Sequence, residues 1–191
     1  MIFGITGGTG CGKTTALQAI EALGGVVLDC DASYHELLRC DPALLAAIGA
    51  RFPGVVENGE LQRKKLGAIV FSDPQALLDL NAITHAAVKA EVERRLETAP
   101  ALAAIDALEL FDSGLASLCD VTVAIVAPLE DRVRRLMARD SISEEYARAR
   151  IAAQKDEAWF RAQCDAILEN NGKKDAFATN CVDFFRSYDI I

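Results

Sequence analysis

A glycine-rich loop between an apolar segment and a helical segment is the feature that most constrains how this chain can fold. Residues 7–14 read Gly-Gly-Thr-Gly-Cys-Gly-Lys-Thr, which fits the pattern GxxxxGK[ST] in full. The glycines let backbone N–H groups turn inward around an anion, and the dipole of the following helix favours negative charge there. The loop needs a strand before it and a helix after it, and it predicts a nucleoside triphosphate site.

We expect ATP to bind at this loop, with Mg²⁺ as the accompanying metal. Lys13 is expected to neutralise the β- and γ-phosphates, and the Thr14 hydroxyl is expected to ligate the metal. The predicted nucleotide-binding residues are Gly8, Gly10, Cys11, Gly12, Lys13, Thr14 and Thr15. No GxGxxG pattern can be read through them, so the loop is not a dinucleotide-binding fingerprint.

Short apolar runs alternate with longer amphipathic segments in the first and last parts of the chain. Five runs are predicted to be strands: Ile2–Ile5, Val26–Leu28, Leu102–Asp106, Val121–Val126 and Asp165–Glu169. Continuous apolar strands separated by helices are typical of a parallel sheet that is covered on both faces. The pattern predicts an α/β fold in which a five-stranded parallel sheet lies between two layers of helices.

The 191 residues predict a single domain with two helical excursions from the sheet. Residues 32–100 read as almost entirely helical and are expected to stand off the sheet as an insertion. Residues 129–162 contain two predicted charged helices, Leu129–Arg139 and Ser143–Ala162. The predicted sheet core comprises residues 1–31, 101–128 and 163–191.

Composition and charge narrow the class of function. The chain has 20 Lys and Arg against 28 Asp and Glu, a formal net charge of −8, which argues against binding to nucleic acid or to an anionic membrane. No segment approaches the roughly 18 apolar residues of a membrane span. The six cysteines form no CxxC pair, as is typical of reduced thiols in the cytosol. We expect a cytoplasmic monomer or weak homo-oligomer that acts on a small molecule.

Two carboxylates follow predicted strands at the edge of the sheet where α/β proteins bind ligands. Asp31 could take a proton from an attacking hydroxyl, or it could cap a helix that starts at Ala32, and the spacing favours neither role. Asp29 is interpreted as a neighbour at the strand end. Asp106 ends an apolar strand in the arrangement of a Walker B carboxylate, and it is expected to bind Mg²⁺ through a water ligand of the ion.

Arg132, Arg135 and Arg139 share one face of a predicted helix. Arginine suits the stabilisation of charge on a transferring phosphoryl group, but for most of the late arginines a solvated face paired with neighbouring acids is the better interpretation. Together with the helical insertion, these helices favour a small-molecule kinase whose lid keeps water away from ATP. His85 lies in a helical segment, where a packed or surface histidine is more common than a ligand.

The sequence resembles the dephospho-coenzyme A kinase family over nearly its whole length. Residues 4–15, the Asp-x-Asp of residues 29–31, and residues 59–66 (GELQRKKL) are similar to motifs of that family. Further similar segments follow in the family's order at residues 81–85, 135–140, 149–154 and 170–172. These later segments are much more specific than the glycine-rich loop, which many families share.

The resemblance implies transfer of the γ-phosphoryl group of ATP to the 3′-hydroxyl of the ribose of dephospho-CoA, the last step of coenzyme A biosynthesis. Carried over by position, Asp31 would be the base or hydroxyl-orienting group, and Arg139 would be the lid arginine that reaches the phosphates. Arg63 and His85 would help to hold the acceptor, with Asp106 nearby. The implied fold is a P-loop kinase sheet with a helical substrate-binding subdomain and a helical lid.

Three positions depart from the family pattern near the expected acceptor pocket. Ala86 follows His85 where the family has proline, Leu108 stands where the family has another proline, and Glu109 stands where leucine is usual. These changes bear on substrate contact more than on the reaction. Two alternatives stay open: a P-loop kinase for another small alcohol or nucleoside monophosphate, and an ATP-binding switch that transfers no phosphate.

Overall fold

Five parallel strands form the central sheet of this protein, whose computed structural model describes residues 1–188. The strands of the chain are β1 (Ile2–Thr6), β2 (Val26–Asp29), β3 (Val56–Glu57), β4 (Glu60–Leu61), β5 (Ala103–Asp106), β6 (Val121–Val126) and β7 (Ala166–Glu169). The sheet has the order β2-β5-β1-β6-β7, with every neighbouring pair parallel, which confirms the predicted five-stranded parallel sheet. The last three residues of the predicted core segment 163–191 lie outside the described residues.

The helices connect these strands and fill the two excursions. They are α1 (Lys13–Ala22), α2 (Cys30–Cys40), α3 (Pro42–Arg51), α4 (Arg63–Val70), α5 (Pro74–Leu96), α6 (Leu129–Asp140), α7 (Glu144–Ala152), α8 (Glu157–Gln163) and α9 (Lys174–Arg186), with a short 3-10 helix at Leu115–Leu118. Asp73 caps α5 by accepting a hydrogen bond from the Gln75 amide at 2.8 Å, with Pro74 in the first turn. Within residues 1–188, no helix is long and apolar enough to cross a membrane.

Helices cover both faces of the sheet, because successive side chains of a strand point to opposite faces. Phe3 and Ile5 of β1 are fully buried with α1 and α9 on one face, where the Phe3 and Phe185 rings meet edge to face at 4.9 Å. Ile105 of β5 is buried with Val88 of α5 on the other face. Each such side chain contributes about 1.5–3 kcal/mol on burial, so the two cores hold the three layers together.

The segment 32–100 has a hydrophobic core of its own. Ile48, Phe52, Val55 and Leu66 are buried there, away from the sheet. Helix α5 joins this core to the sheet, since its first half packs in the outer core and its second half packs against β2 and β5. The long helix therefore fixes the position of the excursion relative to the carboxyl ends of these strands.

Two details of the predicted secondary structure are wrong. The excursion contains a hairpin, β3–β4, in addition to helices, because Asn58 and Gly59 adopt φ of 53° and 78° and make the two-residue turn that Asn-Gly favours. The predicted helix Ser143–Ala162 is two helices. Asp156 interrupts it by accepting a hydrogen bond from the Trp159 amide at 2.8 Å, which caps α8.

Candidate active site

The glycine-rich loop after β1 is bonded to the side chain of Lys13. The Lys13 ammonium donates to the Gly7 carbonyl at 3.1 Å, and Gly7, Gly10 and Gly12 have φ of 131°, 79° and 101°. Such values strain any residue with a Cβ atom. A cavity of about 540 Å³ opens beside the loop, between it and α6. Its walls include Gly8, Thr9, Gly10, Gly12, Lys13, Thr14, Arg135 and Arg139.

Five of the seven predicted nucleotide-binding residues line this cavity, and two do not. Cys11 is 3% exposed and packs in the core below the loop, where burial raises the pKa of its thiol. Thr15 lies one residue further along α1, outside the cavity wall. The remaining five line the cavity with loop backbone and with one ammonium group, that of Lys13. Such a lining suits the binding of phosphate.

Gly12→Ala is expected to lower the free energy of unfolding by about 1–3 kcal/mol, because the left-handed backbone is strained and a Cβ atom would clash with Asn170 Nδ2. Gly54→Ala is the matched control, since φ there is also positive, at 81°, but nothing lies within 4 Å of the new Cβ. Urea unfolding of both variants measures the difference. Equal losses would contradict the steric part of this account.

Side chains from the second excursion, and Asn170 directly after β7, hold the backbone of the loop. Arg132 Nε donates to the Thr9 carbonyl at 3.0 Å, and Arg135 Nη1 donates to the Gly10 carbonyl at 3.1 Å. Gln154 Oε1 accepts from the Thr9 amide at 2.8 Å, and Asn170 Nδ2 donates to a loop carbonyl at 2.8 Å. These contacts fix the loop in a shape that bare glycine residues would not keep.

Most of the late arginines pair with neighbouring acids, as expected: Arg139 and Arg150 with Asp140, and Arg148 with Glu130. Arg132 and Arg135 are the exceptions, since both bind the loop backbone. Gln154 and Asn170 were not among the predicted site residues. The only sequence signal for them is their place in the family-like segments 149–154 and 170–172.

Arg139 lies at the rim of the loop cavity and is paired with its neighbour in sequence. Its Nε and Nη2 atoms donate to the two carboxylate oxygens of Asp140 at 2.6 and 2.9 Å. Asp140 also accepts from Arg150 Nη1 at 2.7 Å, and these hydrogen bonds, led by that of Arg139, lower its pKa to about 2. The Arg139 side chain is 61% exposed, so the pair is held in solvent at the edge of the cavity.

Three carboxylates meet at the carboxyl ends of β2 and β5. Asp29 and Asp106 are direct neighbours in the parallel register of these strands, and Asp31 follows in the first turn of α2. The helix cap is Asp29, whose Oδ1 accepts from the Ala32 amide at 2.9 Å. The capping role considered for Asp31 is therefore wrong, because the helix begins two residues earlier than predicted. Asp29 is confirmed as the neighbour at the strand end.

Burial raises the pKa of Asp106 to about 6, with the charges of Asp29 and Asp31 adding to the rise and Lys13 opposing it. The folded chain therefore binds this proton more tightly than the unfolded chain does. The resulting cost of ionising Asp106 is absent below about pH 4, grows as pH rises, and is fully present above about pH 6.

Asp106→Asn removes that cost, so the variant is expected to match the wild type near pH 4 and to exceed it by about 1–3 kcal/mol in unfolding free energy at pH 7.5. Urea unfolding without nucleotide or metal, at several pH values, measures the difference. A variant that is equally or less stable than the wild type at pH 7.5 would contradict the assignment of a raised pKa to the Asp106 carboxyl.

The oxygen donors around Lys13 suit a hard divalent cation. The Thr14 hydroxyl lines the loop cavity, and the Asp106 carboxylate lies near enough to Lys13 for their charges to interact. Among residues 1–188, no three His, Cys, Asp or Glu side chains form a metal-binding group. A Mg²⁺ ion that is carried on phosphates needs only one or two protein oxygens, so this donor set fits Mg²⁺.

A second cavity, of about 260 Å³, lies between α2, α5 and the loop after β5. Asp31, Tyr34, His85 and Glu109 are on its walls. His85 Nε2 is 3.1 Å from Glu109 Oε2, so the residue that departs from the family pattern is the partner of the predicted acceptor-binding histidine. His85 thus lies at a cavity and is neither packed in the core nor free on the surface.

The other two predicted acceptor residues, Arg63 and Asp106, are not on the wall of this cavity. Arg63 begins α4, and its charge opposes the rise that burial causes in the pKa of the Tyr34 phenol. The structure thus brings Asp31 and His85 together at one cavity and leaves Arg63 outside it.

Comparison with known proteins identifies the family. The family model for dephospho-CoA kinase matches residues 1–176. A dephospho-CoA kinase of Geobacillus kaustophilus is 34% identical, and the match covers 100% of this chain and 98% of that protein. A dephospho-CoA kinase of Deinococcus radiodurans is 37% identical over 91% of this chain and 85% of that protein.

Solved structures agree with the sequence matches. The dephospho-CoA kinase of Campylobacter jejuni superposes with a TM-score of 0.69 at 25% identity, covering 98% of this chain and 96% of that one. A shikimate kinase of Bacteroides thetaiotaomicron shares the fold, with a TM-score of 0.58 at 15% identity and coverage of 100% and 99%. The glycine-rich loop, the carboxylates at the sheet edge and these matches together show that the chain belongs to the dephospho-CoA kinase family.

Proposed function

We propose that this protein transfers the γ-phosphoryl group of ATP to the 3′-hydroxyl of the ribose of dephospho-CoA, giving coenzyme A and ADP. The observation that carries the proposal is the placement of two cavities at the carboxyl edge of one sheet. One is built on the phosphate loop with Lys13, and the other has Asp31 on its wall. Donor and acceptor can therefore meet between a cation and a carboxylate.

On the ATP side, backbone N–H groups of the loop bind the phosphates, and Lys13 stabilises the charge on the group in transfer. The proposal requires Arg139 to leave Asp140 and turn toward the phosphates. That exchange costs little, because solvent screens exposed ion pairs and they contribute little to stability, and Asp140 keeps its bond to Arg150. Residues 129–162 thereby act as the lid.

On the acceptor side, Asp31 accepts the proton of the 3′-hydroxyl or orients that hydroxyl toward the phosphorus atom. Asp29 is engaged in capping α2, and Asp106 is not on the wall of this cavity. His85, which is paired with Glu109, forms part of the acceptor wall, and the charge of Arg63 acts on Tyr34, which lines the same cavity. Residues 32–100 thereby act as the acceptor-binding subdomain.

Mg²⁺ would be held by the Thr14 hydroxyl and, through water, by Asp106. When bound, the ion supplies positive charge that offsets the charge of the phosphate oxygens. The rise that burial causes in the pKa of Asp106 is then opposed, because a nearby cation favours the carboxylate.

Coupled ADP release with ATP and Mg²⁺ tests the proposal, with dephospho-CoA compared against adenosine, nucleoside monophosphates and shikimate. We expect ADP release that depends on dephospho-CoA. Release with another acceptor alone would favour the kinase of a different alcohol, and release that no acceptor increases would favour an ATP-binding switch.

A further inference from the structure

The acceptor cavity is too small for the whole of dephospho-CoA. At about 260 Å³ it lies below the range of about 300–1,000 Å³ that is typical of sites for drug-sized ligands. Dephospho-CoA consists of an adenosine, a diphosphate and a long pantetheine arm with two amide groups. If the ribose reaches Asp31, the arm must lie outside this cavity, and the loop cavity is taken by ATP.

A neighbouring cavity of about 340 Å³ begins where the acceptor cavity ends. Leu108 and Glu109 line both, so the loop after β5 is a shared wall with one cavity on each side. The opposite wall of the neighbouring cavity comes from the segment between α7 and α8 and from α8 itself. We call it the arm cavity; its lining is Leu108, Glu109, Phe111, Asp112, Ala153, Gln154, Lys155, Trp159 and Phe160.

The wall of the arm cavity is aromatic, and its charged residues are one lysine, Lys155, and two carboxylates, Glu109 and Asp112. The Trp159 ring meets Phe111 edge to face at 5.5 Å and Phe160 at 5.2 Å. Lys155 Nζ lies 5.2 Å from the centre of the Trp159 ring and 3.7 Å from Asp112 Oδ2. A surface of this kind suits an uncharged chain with apolar and amide groups better than it suits a phosphate, because the lysine charge already has a carboxylate beside it.

We propose that the arm cavity binds the pantetheine arm of the acceptor, an inference that rests on the function proposed above. Gln154 lines this cavity and also accepts a hydrogen bond from the Thr9 amide of the phosphate loop. The arm therefore contacts the same segment that holds the phosphate loop. Part of residues 129–162, which the sequence predicts only as a lid over ATP, is then also part of the acceptor site.

Trp159 makes a direct test possible, because it is the single tryptophan of the chain. Its fluorescence is recorded while the full-length protein is titrated, without ATP, with dephospho-CoA, with pantetheine and with AMP, which lacks the arm. Calorimetry under the same conditions gives the occupancy. We expect dephospho-CoA and pantetheine to change the emission and AMP to leave it unchanged at saturation.

Kinetic constants provide a second test. Trp159→Leu is expected to raise the KM for dephospho-CoA about tenfold while the KM for ATP stays within about twofold of the wild-type value. Tyr146→Leu is the matched control, since Tyr146 is an exposed aromatic residue on α7, away from the arm cavity, and it should change neither constant. The fluorescence titration uses the wild-type chain and does not depend on the folding of either variant.

The outcomes separate this inference from the proposed function. ADP release with dephospho-CoA, together with unchanged Trp159 emission at full occupancy, would overturn the arm site and leave the reaction in place. An equal change with AMP would also overturn it. Failure of dephospho-CoA to bind or to react would overturn both.

Discussion

Lys13→Ala is expected to reduce kcat with dephospho-CoA by about 10²–10³-fold, the effect of removing one preorganised group that stabilises charge in the transition state. The Lys13 ammonium is held by the Gly7 carbonyl at 3.1 Å and is the lysine on the wall of the loop cavity. Arg135 and Arg139 also line this cavity, but Arg135 is bonded to the Gly10 carbonyl and Arg139 to Asp140, so neither takes the place of the ammonium in this structure. The KM for ATP is expected to rise as well.

The control for this variant is Lys174→Ala, which removes an exposed lysine at the start of α9, remote from both cavities. It is expected to keep wild-type kcat. Coupled ADP release measures kcat, and urea unfolding shows whether each variant is folded. A folded Lys13→Ala protein with kcat within threefold of the wild-type value would contradict the assigned role.

Asp31→Asn is expected to lower kcat by about 10²–10⁴-fold while ATP binding is unchanged, because the amide keeps the shape of the carboxylate but cannot take a proton. Asp29→Asn is a close control, two residues away, since asparagine caps a helix about as well as aspartate does. It is expected to keep most of the turnover.

ATP affinity is measured by calorimetry, and turnover is measured with saturating dephospho-CoA. Loss of ATP binding in Asp31→Asn would mean that the residue belongs to the nucleotide site. Undiminished turnover would mean that another group orients or deprotonates the acceptor. A larger loss of turnover in Asp29→Asn than in Asp31→Asn would mean that Asp29, and not Asp31, has the catalytic role.

The strands and the phosphate loop could be predicted from the sequence because their signals are local. Each predicted strand overlaps an observed one, and the loop lies between β1 and α1 as its pattern requires. The hairpin at Asn58 and Gly59 also has a local signal, the Asn-Gly pair itself, which the helical interpretation of residues 32–100 leaves out. The break before α8 depends on one capping aspartate within a helical pattern, and periodicity alone does not locate it.

The parts of the site that could not be predicted depend on contacts between distant residues. Arg132 reaches Thr9 across 123 positions of the chain, and Asn170 reaches Cys11 across 159. The pairing of His85 with Glu109 likewise requires α5 to lie against the loop after β5. Residue type and spacing indicate Arg132 and His85 as candidates but not Asn170, and only the folded arrangement shows which arginine holds the loop and which stays in solvent.

Direct identification of the product tests the central claim most clearly. The protein is incubated with ATP, Mg²⁺ and dephospho-CoA, and the mixture is analysed by ³¹P NMR and mass spectrometry. We expect equal amounts of ADP and coenzyme A, with a new phosphate monoester on the 3′-oxygen of the ribose. With Asp31→Asn we expect almost no ADP and almost no coenzyme A. Formation of ADP and inorganic phosphate with dephospho-CoA left unchanged would contradict it.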